Sequence, residues 1–133
     1  MKFHKDGTLP TIGKPDIVFV FGSNLSGIHG AGAARVAFEL FGAKLKEGVG
    51  LYGRSYAIPT KDHRIKKMRL SAIKPHIQNF VEFANRRPDL EFFITRVGCG
   101  LAGYKDSDIA PLFKGLGSNC SISHEWKKYI GEE

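Results

Sequence analysis

The chain has 133 residues, 42% of them hydrophobic and 25% charged, which fits one compact domain whose core needs no metal or disulfide staple. No apolar run approaches the roughly 20 residues of a membrane span, and the opening Met1-Lys2-Phe3-His4-Lys5-Asp6 lacks the apolar stretch of a secretory signal. Net charge is +7, an excess that suits an anionic partner rather than a membrane interior.

A single domain over residues 1–133 is expected, with residues 1–14 an N-terminal arm or edge segment. Ile17-Val18-Phe19-Val20-Phe21 is a continuous apolar run without alternation, the pattern of a strand buried on both faces of a parallel sheet. A loop from Gly22-Ser23-Asn24 to Gly30 follows. A helix then begins near Gly30–Gly32, with Ala33, Val36, Ala37, Leu40 and Phe41 at helical spacing and an exposed Arg35/Glu39 pair. Gly42 is the expected stop.

Residues 43–54 contain Gly48, Gly50 and Gly53 and read as a flexible loop, and Ser55-Tyr56-Ala57-Ile58 as a short strand closed by Pro59. The longest helix is expected from about Ser71 to Asn85, burying Ile73, Ile77, Phe80, Val81 and Ala84, with Pro75 in its first turn. Leu90–Arg96 is the next buried strand. Asp106 or Ser107 caps a short helix reaching Phe113. A last strand near Cys120–Ile122 precedes a terminal turn with Trp126, and residues 124–133 form a tail. Strands alternating with helices predict an α/β fold with a mainly parallel sheet between helices.

The two cysteines, Cys99 and Cys120, have no zinc-ligand spacing. Free thiols in a reducing compartment, a cytoplasmic location and no metal or cofactor are expected. Much of the positive charge lies in one stretch, where Lys61, Arg64, Lys66, Lys67, Arg69 and Lys74 face the single acid Asp62. Such a block suits nucleic acid, a phosphorylated ligand or another polyanion, and equally a solvated surface kept for solubility. No aromatic residue is interleaved with it, which argues against stacking of single-stranded bases.

Two glycine-rich turns carry the chemistry. The first runs from Gly22 to Ala34 and the second, Gly98-Cys99-Gly100-Leu101-Ala102-Gly103, leads to Tyr104. Each follows a buried strand and precedes a helix, so in a parallel sheet both lie at the carboxyl edge, where ligands bind. Facing each other, they form a clamp of backbone N–H groups for a diphosphate, aided by the helix dipole near Gly32. The second turn spells a dinucleotide fingerprint, but it arrives with 30 residues left and no acid near Asn119–Ser123, which argues against a nicotinamide oxidoreductase. The chain also lacks G-x-x-x-x-G-K-[ST], G-x-S-x-G and H-E-x-x-H. Asn24 at the first strand tip suits either a ribose hydroxyl or a turn that bonds its own backbone.

Ile17–Gly42 resembles the opening of macro domains, and Gly98–Tyr104 resembles their second phosphate loop. The likeness is closest to the branch with terminal ADP-ribose glycohydrolases and DNA ADP-ribosyl glycohydrolase antitoxins. The matching elements are Gly30-Ala31-Gly32-Ala33-Ala34, Pro59-Thr60-Lys61 and Gly98-Cys99-Gly100. Residues 16–123 as a whole are similar to macro-like proteins of bacteriophages. The resemblance implies a three-layer α/β/α fold and ADP-ribose or an ADP-ribosyl group as ligand. It sets Gly30, Ala31 and Gly32 at the distal ribose and phosphates, Gly100, Leu101, Ala102 and Gly103 at the diphosphate, and Asn24 near the distal ribose, with Gly22, Ser23, Gly98, Cys99 and Tyr104 among the other ligand-binding candidates. Lys61 matches the functional lysine of that branch.

A lysine amine attacks an anomeric carbon once its surroundings leave it neutral, so Lys61 and Asn24 are the candidate catalytic residues of an ADP-ribosyl glycohydrolase. Where hydrolase members place an acid, this chain has Ala102, which removes an acid/base partner for Lys61. Asp16 is the nearest candidate for reading adenine. Tyr104 and Phe113 are candidates for pocket walls or plain core. His29 is expected on an exposed loop, and Cys99 has no visible histidine partner. The competing reading is a non-enzymatic module that sequesters a nucleotide derivative or binds a polyanion.

Overall fold

A computed structural model describes residues 1–130. Its six strands, β1 (Lys2–His4), β2 (Ile17–Asn24), β3 (Gly50–Tyr52), β4 (Ser55–Lys61), β5 (Glu91–Ile94) and β6 (Cys120–Ser123), form one sheet. Their order is β1-β6-β5-β2-β4-β3. Every neighbouring pair is parallel except β3 with β4. The helices are α1 (Gly32–Leu40), α2 (Leu70–Asn85), α3 (Asp106–Ile109) and α4 (Lys127–Ile130). This is the expected α/β class, with helices on both faces of a mainly parallel mixed sheet.

β2 lacks alternation because both of its faces are covered. Phe19 and Phe21 pack with Ala34, Ala37 and Phe41 from α1 and its end. Val18 and Val20 point the other way, into a larger core with Ile73, Ile77 and Phe80 of α2. Continuous apolar sequence in a central parallel strand follows from this double burial.

The α2 residues expected to be buried are the ones that are, since apolar side chains at 3.6-residue spacing form a single stripe. Phe80 meets Tyr56, Phe92 and Phe113 edge-on, with ring centroids 4.9, 5.4 and 6.1 Å away. α2 starts at Leu70, one residue earlier than expected, and Pro75 falls in its second turn rather than its first. It stands on the exposed face, where solvent can reach the carbonyl whose helix bond it removes.

Other departures have similarly local causes. Residues 43–54 are not wholly loop: Gly50–Tyr52 forms edge strand β3, paired with Ser55–Ala57. β4 continues through Pro59 to Lys61, because its pairing with β3 ends at Ala57 and leaves the Pro59 edge free of ladder demands. Leu40, expected on the buried stripe of α1, is exposed. Residues 124–130 are a 3-10 turn and α4 rather than a tail, anchored by fully buried Trp126.

The two faces are unequally covered. α1 lies over β2, whereas the same side of β5, β6 and β1 presents Phe93, Ser121 and His4. His4 stacks on Phe93 at 3.8 Å, and its Nδ1 lies 2.7 Å from the Ser121 hydroxyl. Among the described residues, the irregular connection between β1 and β2 is what runs near this side, with Asp6–Leu9 beside His4 and Phe93. The resulting gap beside α1 becomes the cavity described below.

Because Phe80 joins the sheet to α2 and to the segment after α3, Phe80→Ala is expected to lower stability by about 3–5 kcal/mol. Urea unfolding checks this, and a loss below about 1 kcal/mol would mean that α2 is not seated as described.

Candidate functional site

The parallel strands β1, β2, β4 and β5 end on the same edge of the sheet, and the segments after all four line one cavity of about 680 Å³. That volume falls within the usual range for a small-molecule site. Gly22, Ser23, Asn24, Gly30, Ala31, Gly32, Lys61 and Gly98–Ala102 all lie on its wall. Gly103 and Tyr104 do not. The Tyr104 backbone N–H donates to the Gly98 carbonyl at 2.8 Å, while its hydroxyl donates to the Met68 carbonyl behind the loop. Its ring face is taken by the Lys67 ammonium, 3.9 Å from the centroid. Phe113 is fully buried core. Neither aromatic walls the cavity.

Close backbone packing sets the first loop. The Ser23 hydroxyl donates to the Gly48 carbonyl at 2.5 Å, and Lys46 N–H donates to the Gly27 carbonyl at 2.9 Å. A Cβ on Gly48 would strike the Asn24 carbonyl, and one on Gly27 would strike the Lys46–Glu47 peptide. Only glycine permits this contact. The Ser26 hydroxyl adds a bond to the His63 carbonyl, which ties the loop to the segment after β4.

Asn24 is committed to the same task. Its amide nitrogen donates to the Ile28 carbonyl at 2.8 Å, and its amide oxygen accepts from Ile28 N–H at 3.0 Å. One amide N–H is left without a partner among the described residues, on a side chain that lines the cavity. His29 is not exposed, as its exposure of 4% shows. It lies edge-on to Phe21 with centroids 5.5 Å apart, and its Nε2–H donates to the Lys44 carbonyl at 2.8 Å. That bond leaves Nδ1 buried without a partner among the described residues.

The second loop is folded by its own backbone, with Cys99 N–H donating to Arg96 and Gly103 N–H to Gly100, both at 3.0 Å. It touches the first loop where Gly22 meets Gly98: a Cβ on Gly22 would lie 3.3 Å from the Gly98 nitrogen. Between the loops, polar groups remain unspent. The N–H groups of Gly30, Ala31, Gly100, Leu101 and Ala102 donate to no acceptor among the described residues. The N-terminus of α1 has no side-chain cap. Gly30 and Gly100 are glycines that the fold does not require, for neither has positive φ and a Cβ on either meets nothing within 4 Å.

Charge around the cavity is set by few groups. Among the described residues, Asp6 is the one carboxylate on its wall, and it is paired with Arg96 at 3.0 Å. Arg96 is itself held in a fork by Asp106, at 2.9 and 2.6 Å, and Trp126 Nε1–H donates to Asp106 at 2.7 Å. The Arg96 bonds keep the Asp106 carboxyl below the usual carboxylate range. Lys61 lines the opposite end and its amine has no hydrogen bond or ion pair among the described residues. Beyond it, Asp62 accepts from Arg64 N–H at 2.8 Å and Lys66 N–H at 3.0 Å. Those backbone bonds lower its pKa and fold the segment so that Arg64, Lys66, Lys67 and Arg69 face solvent.

Cys99 lines the cavity, but burial and the neighbouring Asp106 push its thiol up to about 12. Asp16 sits at the opposite edge of the sheet, where its carbonyl accepts from Glu91 N–H at 2.8 Å, and it does not reach the cavity. The described residues hold no cluster of His, Cys, Asp or Glu suited to a metal ion. No helix among them is long and apolar enough to cross a membrane.

What sequence reasoning missed is the β1–β2 connection: Asp6, Gly7, Thr8 and Leu9 wall one end of the cavity, with His4, Phe19 and Phe93 beneath. The charged Arg96 partner was the available signal, but nothing local pairs it with Asp6.

Two measurements check this arrangement. Asp106→Asn is expected to destabilise by about 1–3 kcal/mol at neutral pH, because it removes the charged fork from partly buried Arg96, leaving it only the more exposed Asp6, and weakens the Trp126 bond. Since the folded-state pKa is depressed, the wild-type advantage is present above the unfolded carboxylate value and disappears as pH falls through the folded one. Denaturant melts at pH 7 and near pH 3 read both. Iodoacetamide labelling of Cys99 at pH 8 is expected to run roughly a hundredfold or more below a free thiol, and labelling at the free rate would contradict its buried setting.

Comparison of the chain with known protein families, curated proteins and solved structures finds no match.

Proposed function

We propose that this chain is a macro-like domain that binds ADP-ribose or a closely related nucleotide in the cavity between its two glycine loops. The carrying observation is the pair Gly30 and Gly100. Neither packing nor backbone conformation demands glycine at these positions, yet both stand on the cavity wall beside unspent N–H groups. Backbone donors from two loops and the uncapped start of α1 suit an anion with several oxygens, such as a diphosphate. The sequence resemblance supplies the identity of the nucleotide.

The ends of the cavity differ in a way that suits such a ligand. One has the rings of Phe19, Phe93 and His4 and the aliphatic Val36, an apolar floor for a base. The other has Lys61 and the last N–H of Asn24, which suit the hydroxyls of the distal ribose. In this reading Asp16 has no part in recognising the base, and Cys99 is no nucleophile.

Binding has more support than turnover. Lys61 lines the cavity, which is compatible with an amine acting on an anomeric carbon, but Ala102 contributes a methyl group where a carboxylate would assist. Asn24 spends most of its amide on Ile28. A non-enzymatic sequestering role is therefore the second reading, and removal of ADP-ribosyl groups from protein or nucleic acid is the reaction to test against it. The exposed cations Arg64, Lys66, Lys67 and Arg69 beside the Lys61 end suit a nucleic-acid carrier of the nucleotide.

Calorimetry with ADP-ribose, NAD and AMP tests the reading, and no detectable ADP-ribose binding at millimolar concentration would reject it. Gly30→Val and Gly100→Val are expected to change stability by less than about 0.5 kcal/mol and to weaken ADP-ribose binding by roughly tenfold or more, as an obstructed phosphate contact should. Release of ADP-ribose from modified DNA or protein by the wild type, lost in Lys61→Ala, would establish the hydrolase. Reduced affinity in that variant, with no turnover by either protein, would establish sequestration.

A further inference from the structure

β1 and β2 run parallel on the same sheet with β6 and β5 between them, so residues 5–16 must cross the sheet to join them. No helix does this. The connection is an irregular strap, exposed at every residue but Pro10 and half-exposed Asp16 to Ile17 at its end. Its backbone hydrogen bonds before the final turn are local, Thr8 N–H to the Lys5 carbonyl at 3.2 Å. Gly7 and Gly13 have φ of +82° and +91°, and a Cβ on either would meet nothing within 4 Å.

One side-chain bond ties the strap to the body at the cavity: Asp6 Oδ2 to Arg96 Nη1, 3.0 Å, with side chains 46% and 31% exposed. The two partners are unequal. Arg96 is a fixed post, held by the Asp106 fork that Trp126 also grips. Asp6 rides on chain that little else restrains. An ion pair this exposed is weak and screened by salt. Strap residues Asp6–Leu9 nevertheless form the wall over the aromatic end of the cavity.

We propose that the β1–β2 strap is a lid over the aromatic end of the cavity, latched by Asp6 on Arg96 and opening as a whole from the end of β1 to admit and release the nucleotide. The proposal rests on the nucleotide-binding reading above. It assigns Asp6 a gating role and no contact with the ligand. The strap opens when the exposed pair breaks, the ligand enters along the aromatic floor, and the same pair re-forms over it.

Asp6→Asn removes the charge from the latch and leaves Arg96 with Asp106. In the ligand-free protein, amide exchange over residues 5–13 is expected to quicken by roughly two- to fivefold, the range for losing an exposed ion pair. In stopped-flow with ADP-ribose, association and dissociation rates are expected to rise together by the same factor, with the dissociation constant changed less than about twofold. Faster dissociation is the discriminating reading, because removing a carboxylate near an anionic ligand through electrostatics alone would slow it. Unchanged exchange in the free protein overturns the latch. A change confined to dissociation overturns the gate and makes Asp6 a ligand contact. Wild-type binding with unaltered rates in the variant fails the lid alone, and absence of wild-type binding by calorimetry fails the nucleotide reading beneath it.

Discussion

β2 is hydrogen-bonded to β5 along Ile17–Val20 and to β4 along Phe19–Asn24, and all three strands run the same way. The rest of the site depends on that double parallel ladder. Its neighbours on either side come later in the chain, so the segments leaving β2 and β5 emerge side by side at one edge and diverge to opposite faces. A crevice opens where such connections part. The ladder also makes β2 apolar on both faces, so its polar residues, Ser23 and Asn24, are confined to its last turn of ladder, where the register with β4 shifts.

Unequal covering of the sheet gives the crevice its depth. α2, α3 and α4 crowd one face, where Phe80, Phe92, Phe113 and Trp126 form a continuous aromatic core. Among the described residues, the other face has α1 as its one helix. Phe93 is therefore only half-buried, sandwiched between His4 and Phe19 at centroid distances of 3.8 and 6.2 Å. An aromatic ring left open at one edge would be a liability in a finished core. Under an irregular strap and beside two loops of unspent N–H groups, it is instead the floor of an amphipathic slot.

Elements governed by local periodicity were legible in the sequence. The α2 stripe, the double burial of β2, the Arg35–Glu39 pair at 3.1 Å and the two glycine loops at one edge depend on spacing within a few residues. Features that depend on distant partners were not legible. β3 is three residues long and exists because Ser55–Ala57 offers it an edge. His29 is buried because it packs on Phe21 and bonds the Lys44 carbonyl, eight and fifteen positions away. Asp6 reaches Arg96 across 90 positions, and no short-range pattern encodes that meeting. That the fold itself does not require glycine at 30 and 100 was not legible either, since sequence cannot separate a glycine required by a turn from one that leaves room.

That separation sharpens the second glycine loop. Gly98 has φ of +77° and a would-be Cβ 3.2 Å from Ile109 Cδ1, and Gly103 has φ of +81°, so the fold accounts for both. Gly100, between them, is unaccounted for by either. A loop selected only to turn the chain has no reason to keep a bare backbone at Gly100, which lines the same cavity as the equally bare Gly30. The dinucleotide spelling of this segment is thus two structural glycines around one that leaves space. The neighbouring Ala102 is 9% exposed and contributes no proton donor to that space. The same loop therefore argues for close approach by an anion and against an acid acting upon it, which is why affinity and turnover have to be measured separately.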